Sequence, residues 1–210
     1  LLQVLFGVPL IIISGVFILN NRKDIIRKNV LQKRRLLGED ERNEKSKAII
    51  ERLINSREFK NSSVIMCYVD FDGEAKTQEF IESCLRMGKR VTVPMVVKNT
   101  DGSRDLIASE IFDLEKDLDK GTFGVLEPKK DAVRNVEPSE IDMVVVPGVA
   151  FDINKNRVGY GAGFYDRFLK KLGKECFTVG IAFDFQVCDS VESDDFDVPV
   201  KMIITESGVF

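Results

Sequence analysis

The chain contains no histidine in 210 residues. Without an imidazole, Ser-His and Cys-His nucleophilic schemes, histidine general bases and the usual zinc sites are excluded together. Its four cysteines, Cys67, Cys84, Cys176 and Cys188, stand far apart with no CxxC. That spacing argues against a metal cluster and for a reduced, intracellular chain in which each thiol packs as a small apolar group. A strong charge of either sign is also missing. The 31 basic and 34 acidic residues leave a formal charge of −3, which gives no electrostatic case for nucleic acid as a partner. What remains for chemistry is carboxylates, lysine and arginine, backbone dipoles and a bound cation. The balance of 44% apolar to 31% charged residues suits a soluble protein with one sizeable core.

The stretch VVVPGVAFDINKNRVGYGAGFYDRFL, from Val144 to Leu169, organises the rest. An apolar run, Ile141 to Val146, stops at Pro147-Gly148. A polar turn follows, and Gly159, Gly161 and Gly163 lead into Phe164-Tyr165-Asp166-Arg167. The pattern predicts strand, long loop, helix. Glycines at alternate positions let backbone N–H groups approach a ligand, and the helix start favours an anion. Asp166 is then placed to hold a magnesium ion beside a phosphate. Many glycine-rich turns only bend the chain, and this spacing is neither GxGxxG nor a Walker loop, so the residues alone indicate an anion site without naming its ligand.

Residues Leu1 to Leu19 are uncharged and apolar, and a basic cluster, Arg22 to Arg35, follows them. Three readings stand: a segment foreign to the working protein, which we favour; a membrane anchor, since about 20 apolar residues cross a bilayer; and a buried element. Residues 1–20 are accordingly treated as an extension and 21–210 as the domain. Helical periodicity runs from Asn21 to Leu37 and again from Glu41 to Asn55, and the two helices are predicted to pack as a pair against a sheet. Lys23 and Arg27 share a helix face; a solvated basic face and a phosphate clamp both satisfy that pattern. Val64–Val69 reads as a strand, Asp70–Thr77 as a loop and the following residues as a helix ended by Gly88. Arg90–Pro94 starts another strand, completing a βαβ unit and implying a parallel sheet. Ligands in such sheets lie beyond the strands' C-terminal ends, where Glu74 and the residues after Pro94 and Pro147 fall. Gly121 to Pro128 forms a loop suited to cover a pocket, and strands recur at Phe177–Phe183 and Val200–Thr205.

PGVAFD followed by NRVGYGAGFYDRFL closely resembles the signature of the 5-formyltetrahydrofolate cyclo-ligase (methenyltetrahydrofolate synthetase) family. Lys-x-x-x-Arg at Lys23 and Arg27, Glu-x-x-Thr from Glu74, GTFGVLEP and DVPVKMIIT follow in the family's order. The resemblance implies an α/β fold, a mostly parallel sheet flanked by helices in one domain. It also implies conversion of 5-formyltetrahydrofolate and ATP to 5,10-methenyltetrahydrofolate, ADP and phosphate with Mg²⁺, through a phosphorylated formyl group and no enzyme nucleophile. By position, Lys23, Arg27 and the run Arg157, Val158, Gly159, Tyr160, Gly161, Ala162, Gly163, Phe164 and Tyr165 bind ATP. Val69, Glu74, Tyr160, Gly161, Ala162 and Gly163 line the folate site, and Asp166 and Asp197 hold the metal. Ala162 stands where many members have Gly or Lys, and Phe164 where Tyr is usual. A cytoplasmic enzyme with no membrane or nucleic-acid partner is implied; a non-catalytic folate- or nucleotide-binding homologue is the alternative.

Overall fold

The computed structural model describes residues 12–13, 16–17, 22–121 and 124–210. Of the apolar amino terminus it includes only the antiparallel pair β1 (Ile12–Ile13) and β2 (Val16–Phe17). The readings offered for residues 1–19 otherwise lie outside the described residues, as do Thr122 and Phe123 of the GTFGVLEP segment. No helix among the described residues is long and apolar enough to cross a membrane.

Helix α1 (Arg22–Leu36) carries Asp24 in its first turn and Lys33, Arg34 and Arg35 in its last. Helix α2 (Glu39–Asn55) opens on Glu39, Asp40 and Glu41 and closes with Arg52. Both distributions complement the helix dipole. After α3 (Arg57–Asn61) comes β3 (Val64–Cys67), then α4 (Gln78–Arg86), which buries Phe80, Ile81 and Cys84 on one face. Gly88, at φ +75°, ends this turn by donating its N–H to the Leu85 carbonyl at 3.0 Å. Strand β4 (Arg90–Lys98) turns back into β5 (Arg104–Ile111).

The predicted end of β4 near Pro94 is corrected here: the strand continues to Lys98, and the residues after Pro94 pair with β5 instead of forming a ligand loop. Pairing of β3 with β4 stops at Thr92, so from Pro94 onward one side of β4 needs no ladder hydrogen bonds. Next come α5 (Leu114–Asp117), the ribbon β6 (Leu118–Lys120) and β7 (Leu126–Pro128), and β8 (Asn135–Val136). The described part of GTFGVLEP thus belongs to a two-stranded ribbon and its tip.

Strand β9 (Met143–Val146) is followed by β10 (Ala150–Asp152), β11 (Arg157–Val158) and α6 (Phe164–Leu169). The expected long loop therefore contains a short hairpin. Asp152 makes its turn, accepting from Asn156 N and Nδ2 and from Val191 N at 2.9–3.0 Å. The chain ends through β12 (Phe177–Ile181), β13 (Val187–Cys188) and β14 (Met202–Ile204).

The main sheet has the order β14-β12-β9-β3-β4-β5-β8, parallel from β14 to β4 and antiparallel at β5 and β8. It is the mixed, mostly parallel α/β sheet the sequence implies. Every residue of β3 and β9 is buried. Alternate side chains enter two cores, as the two-residue strand period requires. Ile65, Cys67, Met143 and Val145 pack with Ile49, Leu53, Phe80 and Ile81 of the helices on one face. Val64, Met66, Val144 and Val146 pack with Phe168 and Leu169 of α6 on the other.

A second sheet, β11-β10-β13, forms a third cluster in which Val149, Ala150, Val158 and Val191 surround Val30 of α1. The expected α1–α2 pair is thus corrected: α1 packs on the small sheet and α2 on the large one. This division brings α1's polar stripe to the C-terminal edge of the parallel strands.

Candidate active site

Along α1, Lys23, Arg27, Val30 and Arg34 follow the 4, 7, 11 spacing of a single helix face. Val30 anchors the face in the small core, and the three cations reach the tail, the glycine loop, the turn after β9 and the loop after β3. Lys23 Nζ pairs with Asp194 at 2.6 Å and Asp197 at 2.8 Å. Arg27 donates from Nε to the Gly159 carbonyl at 2.9 Å and also pairs with Asp24. Arg34, 3% exposed, donates to the Gly148 carbonyl at 2.6 Å and to the Tyr160 hydroxyl at 3.0 Å, with Glu74 Oε1 3.8 Å away. By sequence Arg34 is one member of the basic cluster Arg22 to Arg35; in the fold it is an inner member of the candidate site. The heptad step from Arg27 puts it on the same helix face, but nothing in the sequence marks it as buried.

The loop between β3 and α4 brings Glu74 to the same place. Glu74 is 5% exposed; Oε1 accepts from Tyr160 Oη at 3.3 Å and Oε2 from Phe71 N at 3.2 Å. Burial pushes this carboxyl up to about 7 against the pull of Arg34 and of the Phe71 and Tyr160 donors. Tyr160, half exposed, is pushed up to about 12, chiefly by burial and the Glu74 charge. Val69 also lies on this side, but it is buried in the core, as Val158 is in the small cluster. Each offers a ligand main chain more readily than side chain.

The three loop glycines do different things. Gly161 and Gly163 adopt φ of +98° and +65°, a region costly for other residues. A Cβ at Gly161 would lie 3.7 Å from the Arg27 guanidinium, and one at Gly163 3.1 Å from Arg167. Gly159 has open space beside it and serves through its carbonyl. Ala162 is exposed and its carbonyl accepts from Arg167 at 3.1 Å, while Phe164 packs on the second core. The Tyr165 hydroxyl is buried without a hydrogen-bond partner among the described residues, and burial holds its pKa well above normal. Helix α6 spans only six residues, so it contributes its first N–H groups, not a long dipole.

Arg157 is largely occupied internally. Its guanidinium donates to Asp166 Oδ1 at 2.8 Å and to the Val198 carbonyl at 2.5 Å, while Val198 N donates to Asp166 Oδ1 at 3.1 Å. Asp197 uses Oδ2 for Lys23 and for Asp194 N. Burial acts to raise Asp197, but the Asp194 N–H and Lys23 outweigh it and the net shift is downward. Among the described residues, Asp166 Oδ2 and Asp197 Oδ1 take no hydrogen bond, so each carboxylate retains an oxygen for a cation. No group of three or more Cys, Asp or Glu is arranged there to hold a metal alone. Two carboxylates completed by phosphate oxygens and water fit magnesium.

Fold and site together define an α/β protein whose parallel sheet presents, at its C-terminal edge, a glycine loop between a cationic helix face and a buried carboxylate. The sequence profile described as the 5-formyltetrahydrofolate cyclo-ligase family matches residues 19–206, and the chain belongs to that family. It is 31% identical over 183 residues to the 5-formyltetrahydrofolate cyclo-ligase of Escherichia coli K12, covering 86% of this chain and 98% of that protein. The Haemophilus influenzae protein of the same name is 34% identical over 72% of this chain and 79% of its own length. Aquifex aeolicus 5,10-methenyltetrahydrofolate synthetase superposes with a TM-score of 0.77 at 34% identity, over 89% of this chain and 91% of that one.

Proposed function

We propose that this chain converts 5-formyltetrahydrofolate and ATP to 5,10-methenyltetrahydrofolate, ADP and phosphate, with Mg²⁺ accompanying the nucleotide. Family membership supports the folate reaction. The observation that carries the site assignment is the convergence on one loop, where Arg27 meets Gly159 on one side and Glu74 meets Tyr160 on the other.

A formyl oxygen is a poor leaving group. Transfer of the γ-phosphoryl group to it supplies one; N10 of the same folate then attacks the formyl carbon and loses its proton to solvent or phosphate, the ring closes and phosphate departs with the former formyl oxygen. Such a reaction needs positioning and charge stabilisation more than an enzyme nucleophile, which suits a chain without histidine. Lys23, Arg27 and the N–H groups of Gly159 to Tyr165 neutralise the phosphates, and Asp166 and Asp197 hold the cation, which supplies further neutralisation when bound. The carboxylate of Glu74 orients the pterin by accepting from its ring N–H and amino group, with Gly161 to Gly163 and the Val69 main chain as neighbouring walls. A cytoplasmic setting, with residues 21–210 as the working domain, accompanies this reading.

Incubation with 5-formyltetrahydrofolate, ATP and Mg²⁺, followed by methenyl absorbance, tests the proposal. Product formation that needs all three components is the expected result. Tight folate binding with no product in any condition identifies a non-catalytic homologue instead.

A further inference from the structure

Arginine is seldom buried unless it is paired, and even then desolvation can outweigh the attraction gained. Arg34 is such a residue. Its guanidinium meets three chain segments: the Gly148 carbonyl after β9, the Tyr160 hydroxyl in the glycine loop and the Glu74 carboxylate after β3. The Glu74 loop closes directly on it, since a Cβ at Gly73 would lie 3.5 Å from Arg34 Cβ. Its Nε–H remains buried without an acceptor among the described residues, a cost that an apolar side chain would not carry. The Gly148 carbonyl is fixed from the other side by Gln186 Nε2 at 3.2 Å, so the anchor is rigid.

We propose that Arg34 is a positioning residue of the folate site: by gripping Gly148 and Tyr160 it holds Glu74 as an aimed carboxylate acceptor for the pterin. This rests on the folate reading given above. An ionised carboxylate offers about four lone-pair directions, of which Tyr160 and Phe71 use two. The others point to a ligand only while Tyr160 and Arg34 fix the rotamer. Arg34 is the cation facing Glu74; the other titratable groups around it are Tyr160, Tyr68, Asp70, Cys67 and Tyr165, none of them basic. Removing Arg34 therefore removes both the aim and the charge that favours ionisation.

The test is calorimetric binding of 5-formyltetrahydrofolate without ATP, from pH 5.5 to 8.5, for the full chain and for Arg34→Gln and Arg34→Lys, with far-UV dichroism to establish folding. Gln is expected to weaken folate binding about tenfold near neutral pH and to move the acidic loss of binding upward by about one pH unit. Lys keeps the charge and loses the fork, so it should leave that limb nearly in place while weakening binding severalfold. In turnover, the KM for ATP should hold while that for folate rises. A folded Gln variant with unchanged folate affinity and pH limb overturns the proposal. So does a folded Lys variant with wild-type affinity, which decides the matter if Gln does not fold. Wild-type binding without turnover would defeat the reaction proposed above, yet the same binding series would still decide the role of Arg34.

Discussion

Glu74 carries opposing demands. The proposed folate site needs it as a carboxylate, whereas its burial favours the neutral acid, and the balance leaves it titrating at about 7 instead of 4.5. A folded-state pKa above the unfolded one means that stability is fully present below pH 4.5 and is lost as pH rises through 7. The full shift corresponds to about 3 kcal/mol. Glu74→Gln, which stays neutral and keeps an acceptor, is therefore expected to raise the melting temperature at pH 8, with the gain fading by pH 4.5. The same variant should bind 5-formyltetrahydrofolate weakly, a trade of stability for function. Melts at the two pH values check the sign; no gain at pH 8 would mean that the carboxylate is not penalised in the fold. Nothing in the sequence foretold this. Glu74 was visible as a loop carboxylate, but its burial depends on Arg34 and Tyr160, which lie 40 and 86 residues away.

At the scale of elements, the hairpin of β10 and β11 fixes where the glycine loop starts, and Phe151 fixes the hairpin. Its ring is fully buried between Gly148 and Gly180; a Cβ built on either glycine would come within 2.5 Å of it. Gly180→Ala in β12 must therefore push Phe151 outward or shift the strand, at about 1–3 kcal/mol. A lowered denaturant midpoint with an unchanged slope is the expected outcome, together with weaker ATP use as the loop moves. Full stability in this variant would show that the slot can relax.

The strands β3, β9 and β12 were readable because burial on both faces demands continuous apolar runs. The hairpin was not, since two- and three-residue strands carry no period. Nor was the role of Gly148, which reads locally as a turn and acts as space for a ring from β10. Lys23 and Arg27 were legible as one face of a helix, while Arg34 was not, because an arginine in a basic run gives no sign of being buried until the small sheet is in place.

For the whole molecule, the site joins parts that are far apart in sequence. Lys23 reaches Asp194 and Asp197 across 171 and 174 residues, Arg27 reaches Gly159 across 132, and Arg157 and Asp166 hold Val198 in the same tail. A ligand that touches α1, the glycine loop and the tail at once binds only the folded chain and so stabilises it by mass action, by about 2.7 kcal/mol at a hundred times its dissociation constant. For a chain of this size that amounts to a rise of roughly 5–10 °C in melting temperature. ATP with Mg²⁺ is expected to produce this shift and ATP with EDTA to lose most of it, because the two carboxylates would then face the phosphates without a cation between them. Asp166→Asn keeps an Oδ1 acceptor for Arg157 and Val198 while removing the charge. It should therefore fold but melt below wild type when unliganded, because the buried Arg157 loses its charged partner, and it should respond weakly to Mg²⁺-ATP while retaining the full response to 5-formyltetrahydrofolate. A full Mg²⁺-dependent shift in that variant would move the metal away from Asp166. Loss of the folate response as well would mean that the carboxylate shapes the loop as a whole and not the cation site alone.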